Sequence, residues 1–142
     1  MARIVLTNVE VLVGAVDLSD HVASVTISTT YDVLDTTAFA GGNVPAAARS
    51  RIAGLADNSV TLEFHQDFAA GEVEQTIYPL LGTSAAVKVK PVASSLAGAD
   101  NPIYEFNALI SEWTPLNGAV GELATASVTW PISGAITKDV TP

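Results

Sequence analysis

Two histidines, His21 and His65, are the only imidazoles in the chain, and both have carboxylates close by in sequence. Glu63, His65 and Asp67 alternate along what reads as a strand, so their side chains share one face. Two carboxylates beside an imidazole can hold a metal ion or move a proton, but without a further ligand they make a weak first shell. The commoner arrangement is the polar face of a half-buried strand, and that is the expectation here. His21 follows Ser19-Asp20 in an expected capping turn, where a local hydrogen bond is its expected role. Spacing alone does not exclude a Ser–His–Asp triad, because triads are assembled in space. The chain nevertheless has no G-x-S-x-G elbow, no phosphate-cradling P-loop and no dinucleotide fingerprint. It has no cysteine, which removes disulfides, thiolate zinc sites and cysteine nucleophiles. The expectation is a protein that is not an enzyme and holds no catalytic residue, cofactor or metal.

Arg49 and Arg51 are a different kind of candidate. They are two of only 6 basic residues in a chain with 15 acidic ones. A guanidinium fork matches a carboxylate well, so the pair either sits in solvent or joins carboxylates on a neighbouring copy.

The elements that must position these residues are mostly strands. Ile4 to Val13 is rich in β-branched residues, and Gly14-Ala15 offers a turn into Val16-Asp17-Leu18. Ser19 to Val22 reads as one helical turn. Val25, Ile27, Thr29, Tyr31 and Val33 then alternate with Thr26, Ser28, Thr30 and Asp32, the period of a strand with one buried face. A loop is expected over 40–54, where glycines, a proline and small alanines break the period. Asp57-Asn58 reads as a turn, and Val60, Leu62 and Phe64 mark the next strand. A helix is expected over about 71–81, with Val73, Ile77 and Leu80/Leu81 as its apolar stripe and Gly82 as its stop. Strands follow at Ala85 to Lys90 and, after a flexible connection from Ala93 to Pro102, at Ile103 to Thr114. Asn117-Gly118 signals a hairpin turn, Glu122 to Trp130 returns, and Pro131 is expected to end that strand for want of an amide. Residues 132–142 then read as an arm or a disordered tail. Trp113 and Trp130 fall in alternating stretches and are expected in the core. The whole is expected to be one mainly β domain, 1–142, a β sandwich or partly closed barrel with one flanking α-helix.

Composition adds a constraint. Apolar residues make up 49% of the chain but charged residues only 15%, where about 25% is usual. A lone domain generally clothes its surface with Lys and Glu, whereas interface cores are depleted in them. The shortage points to a surface covered by other protein. The net charge of −9 excludes DNA binding by phosphate neutralisation, which needs a basic patch. No apolar run approaches the eighteen or more residues of a membrane helix. Met1-Ala2-Arg3 leads straight into alternating sequence without the regions of a signal peptide, so synthesis in a cytoplasm is expected.

Several ordered segments resemble a known family. Val25-Thr26-Ile27 through Tyr31-Asp32-Val33-Leu34-Asp35-Thr36-Thr37-Ala38-Phe39 is similar to the early strand of major tail tube proteins of long-tailed phages infecting actinobacteria, with an Asp-Thr-Thr-x-Phe element before a long loop. The resemblance continues through Arg51-Ile52-Ala53-Gly54-Leu55, Leu62-Glu63-Phe64, Gln66-Asp67-Phe68 and Ile77-Tyr78-Pro79-Leu80-Leu81-Gly82-Thr83. It ends at Gly118 to Pro131. Gly41 to Ala48 is longer and richer in alanine than the family pattern.

The resemblance implies a tail-tube-like fold and six-membered rings stacked into a hollow tube, a virion structure assembled in the host cytoplasm, through which genome DNA passes without specific binding. It implies a helix outside, a shared inner β wall, and a loop reaching the adjoining ring. Phe39, Arg49, Arg51 and Ile52 are then the candidates for contact between subunits or rings. Glu63, Glu105 and Glu112, in expected strands, are candidates for an acidic lumen, and six copies at −9 would carry about −54 in all. Further copies of the chain and tape-measure, terminator and baseplate proteins are the implied partners, with no membrane. The alternative is a surface β module for decoration or adhesion that binds carbohydrate or a host receptor.

Overall fold

A computed structural model describes residues 3–42 and 44–142. Met1-Ala2 and Asn43 of the expected loop lie outside the described residues. The chain is mostly β, with elements in the order β1 (Glu10–Val13), β2 (Val16–Asp17), a 3-10 turn (Ser19–His21), β3 (Val22–Asp35), β4 (Arg51–His65), α1 (Val73–Ile77), a 3-10 turn (Tyr78–Leu80), β5 (Ser84–Lys90), β6 (Ile103–Leu109) and β7 (Thr125–Asp139). The seven strands form one antiparallel sheet in the order β2-β1-β5-β6-β7-β4-β3.

The sheet has two halves, and β7 belongs to both. Its first part, Thr125 to Pro131, pairs with β4, and its second part, from Ile132 to Asp139, pairs with β6. This corrects two expectations, that Pro131 ends the strand and that 132–142 is an arm. Proline breaks a ladder only where its missing N–H is needed. At Pro131 the β4 ladder has reached its last pair, with Ser59, and the β6 ladder is first joined one residue later. The register then slips between Glu105 and Asn107, and Gly134, at φ +88°, makes the bend that a side chain would resist.

Both halves turn their apolar faces onto one core. Val11, Val13, Val87, Phe106 and Ala108 come from one half, and Val60, Leu62, Phe64, Val128 and Trp130 from the other. Each fully buried large side chain contributes about 1.5–3 kcal/mol by leaving water. Phe64 lies edge-on to Trp113 at 5.7 Å and tilted against Trp130 at 6.3 Å. Both indoles thus belong to the core or its margin, as expected. Each indole N–H finds an acceptor, Trp130 at the Glu112 carbonyl (2.9 Å) and Trp113 at Glu74 Oε2 (2.6 Å).

The expected helix is present but short. Val73 and Ile77 are buried, Pro79 falls in the 3-10 turn that follows, and Gly82 (φ +85°) donates its N–H to the Ile110 carbonyl at 2.7 Å. Three further strand limits differ from expectation. Only Glu10–Val13 of the first apolar run is strand, β6 stops at Leu109, and the return strand starts at Thr125 rather than Glu122. The 93–102 connection is wound around buried Asn101, whose amide group bonds the backbone of Val92, Ser95 and Leu96.

Candidate assembly surface

Two long strands, β3 and β4, make a hairpin that outruns the rest of the sheet. They pair with each other from Val22–Phe64 to Asp35–Arg51 at the loop end, but β4 has ladder partners in β7 only from Ser59 to His65. The expected loop over 40–54 is therefore displaced toward the N-terminus, to the residues between Asp35 and Arg51. Strand β4 begins at Arg51, and Asp57-Asn58 lies inside it instead of turning. Turn-forming residues are tolerated there because a long cross-strand ladder supplies their backbone bonds.

On the loop side of Ser59 the hairpin keeps large apolar side chains in solvent. Tyr31, Val33, Leu34, Ile52 and Leu55 are exposed on its strands, and Phe39 and Val44 on its loop, Phe39 at 99%. A local concentration of exposed apolar side chains is unusual on a domain that stands alone. A second exposed apolar group, Leu116, Val120 and Leu123, lies on the loop between β6 and β7.

The Asp35-Thr36-Thr37 segment has a local task at the base of the loop. Thr37 Oγ1 accepts from the Ser50 N–H at 2.7 Å, and the Thr36 N–H reaches the Ser50 carbonyl at 2.8 Å. Asp35 Oδ1 accepts from the Thr37 N–H at 2.8 Å, and Asp35 Oδ2 pairs with Arg49 Nη1 at 2.9 Å. The Thr37 hydroxyl and amide, then Arg49, hold the Asp35 carboxyl below its ordinary value. Arg49 thus has a partner in its own chain. Arg51 faces Asp35 across the ladder and is exposed, and Ile52 faces Leu34. Of the four contact candidates, Phe39, Arg51 and Ile52 are exposed on the hairpin, and Arg49 stitches its loop closed while 69% exposed.

A second surface lies on the face of the same strands that is turned away from the core. From Asn58 to Phe64 of β4 and from Ala126 to Ile132 of β7 every second residue is buried, which puts the intervening ones on the face away from the core. The register lines these up in rows across three strands: Ser24–Glu63–Ser127, Thr26–Thr61–Thr129 and Ser28–Ser59–Pro131. Thr61 Oγ1 and Thr129 Oγ1 lie 3.1 Å apart. Seven of these nine residues bear hydroxyls, and Glu63 is the one that carries a carboxyl group. Asp57, next but one to Ser59 and paired with Thr30, adds an acid that sequence reasoning assigned to a turn. The signal was available in the Ser/Thr alternation of β3.

The other two acids lie elsewhere. Glu105 pairs with Lys88 at 3.5 Å across the β5–β6 ladder. Glu112 Oε1 accepts the Thr129 N–H at 2.7 Å, filling a place that β6 leaves empty because it joins β7 only from Ile132.

The Glu63–His65–Asp67 face is not assembled into a site. Asp67 turns instead to His21, whose Nε2 is 3.3 Å from Asp67 Oδ2, 2.7 Å from Glu72 Oε2 and 3.8 Å from Asp20 Oδ1. His21 is therefore not a local capping residue: its main partner is fifty-one positions away. His65 keeps Nδ1 buried and without a hydrogen-bond partner. A groove of about 360 Å³ runs beside Leu6 to Val9 and Val22 to Val25, with Asp20 as the ionisable residue among the described ones that line it.

The fold is similar to that of solved particle proteins. A chain from the virion of a native gene transfer agent particle matches with a TM-score of 0.70 over 92% of this chain and 95% of the other, at 12% identity. A chain from the tail of an empty gene transfer agent particle, refined with C6 symmetry, matches with a TM-score of 0.60 over 83% of this chain and 81% of the other, at 15% identity. No protein-family model and no curated protein matches the sequence.

Proposed function

We propose that the chain is a structural protein of a phage-type tail, the subunit of a tube of stacked six-membered rings that conducts DNA. The observation that carries this reading is the β3–β4 hairpin, which extends past its own sheet with an exposed apolar surface and a stitched loop at its end. A monomer gains nothing from such a surface, whereas the next ring of a stack would cover it. The outer edge of β3 leaves backbone donors and acceptors open to a neighbouring copy, and ring closure would remove that edge. The likeness to a chain from a C6-symmetric tail and the low content of charged residues support the same reading. Tape-measure, terminator and baseplate proteins would be the further partners, with the product located in the virion. The role includes no catalysis.

In this reading the hydroxyl face of β3, β4 and β7 is the channel wall. It has no fixed cation among its three rows, so DNA phosphates would find nothing to hold them. Glu63 and Asp57 would add repulsion. The lumen role belongs to Glu63 rather than to Glu105 or Glu112, which are engaged elsewhere. The alternative of a carbohydrate-binding module draws no support from the tryptophans, both of which pack with Phe64.

Negative-stain microscopy and sedimentation of the purified protein test the proposal. Rings or tubes of uniform diameter are expected, in the presence of a tail-initiating complex if not spontaneously. A chain that stays monomeric with that complex supplied rejects it.

A further inference from the structure

The donor set around His21 has a use that the assembly role does not absorb. His21 Nε2, Glu72 Oε2 and Asp67 Oδ2 converge from three separate parts of the chain: the 3-10 turn after β2, the entry to α1, and the segment leaving β4. Asp20 stands at the rim, and the donor atoms of Asp20, His21 and Glu72 all lie within 4.8 Å of one another. Two donors bound tetrahedrally to a zinc ion at its usual bond lengths sit roughly 3.4 Å apart. Asp67 and Asp20 lie near that distance from Nε2, at 3.3 and 3.8 Å, whereas Glu72, hydrogen-bonded to Nε2 at 2.7 Å, would draw back slightly as an ion takes the place of the proton.

The charge is out of balance. Three carboxylates face one imidazole, and among the described residues the Lys and Arg ion pairs are made elsewhere, at Asp35 and Glu105. Side-chain exposure is 20% at His21, 33% at Asp67 and 34% at Glu72, so these charges are partly withdrawn from water, while Asp20 at 77% leaves one side open for entry. An imidazole among carboxylates favours a borderline transition cation over magnesium or calcium, which prefer all-oxygen shells.

We propose that Asp20, His21 and Glu72, with Asp67 flanking the imidazole, bind a divalent transition-metal cation of the zinc class. The ion would staple the entry of α1 to the turn between β2 and β3, both outside the hairpin. The inference does not rest on tube assembly, because a single chain carries every donor.

The test is calorimetric titration of the chelator-treated, full-length chain with zinc chloride, alongside thermal unfolding. The expected result is one Zn²⁺ per chain and a melting temperature that rises with Zn²⁺ concentration. His21→Ala and Glu72→Gln should each weaken binding at least about tenfold, with His65→Ala unchanged. If His21→Ala does not fold, Glu72→Gln, which preserves side-chain shape, carries the comparison. No uptake by the wild-type chain, equal uptake by the variants at positions 21 and 72, loss in His65→Ala, or an equal response to Mg²⁺ overturns the proposal.

Discussion

The side-chain amide of Asn58 donates to the carbonyl of Gly134 at 3.0 Å, tying β4 to the bulge in β7 where the hairpin leaves the sheet. Asn58 is buried, so removing the donor leaves that carbonyl short of a partner. Asn58→Ala should cost about 1–3 kcal/mol in urea denaturation and increase amide exchange along Ala56 to Val60. An unchanged midpoint would show that the bond does not anchor the hairpin.

Trp130 is fully buried between Phe64 and the Glu112 carbonyl. Trp130→Ala should destabilise the fold by about 3–5 kcal/mol, a large share of the 5–15 kcal/mol typical of a domain. Equilibrium unfolding measures it, and Trp130→Phe should lose less.

Replacing Arg49 and Arg51 together with alanine should leave the core and the circular dichroism spectrum unchanged, because both side chains are exposed. Tubes should become shorter or fail to form, since the loop loses its tie to Asp35 and the hairpin loses its exposed cation. Microscopy of the double variant decides; tubes of normal length would remove both arginines from the interface.

The Asp35 and Asp139 carboxyls are both held below their ordinary value of 3.8, chiefly by the hydroxyl and amide of Thr37 and of Thr141. A carboxyl whose pKa is lower in the folded state adds stability that is complete above the unfolded value. That contribution is lost as the pH falls through the folded one. Protection of the Thr37 and Thr141 amides should therefore be flat at neutral pH and decline only below about pH 4. Exchange measured by NMR checks it, and Asp35→Asn should abolish the effect at Thr37 alone.

If the hydroxyl face lines a channel, Thr61→Lys with Thr129→Lys should make it retain DNA. Each added phosphate contact should steepen the dependence of DNA retention on log salt by about one unit. DNA release from assembled tubes, compared between low and high salt, gives the readout. Release that matches wild type at low salt would place this face away from DNA.

The β character and the core were legible because burial alternates with period two. Val60, Leu62 and Phe64, then Ala126, Val128 and Trp130, announce themselves in sequence. What escaped notice depends on partners distant along the chain. Pro131 reads as a terminator until two neighbouring strands are seen to exchange at it, and Asp57-Asn58 reads as a turn until Thr29 and Thr30 are seen opposite. His21 gives no local sign of Glu72. The apolar residues of the hairpin were visible, but their exposure was not, because only the missing β7 partner beyond Ser59 leaves them in water.

Beyond Ser59 the hairpin is a two-stranded ribbon, and a ribbon resists twisting and flexing far less than a sheet with neighbours on both sides. A filament whose storeys are joined by such ribbons would concentrate its compliance at the joints and keep each storey rigid. It would curve by small tilts added over many levels, with the bore of each level left unpinched.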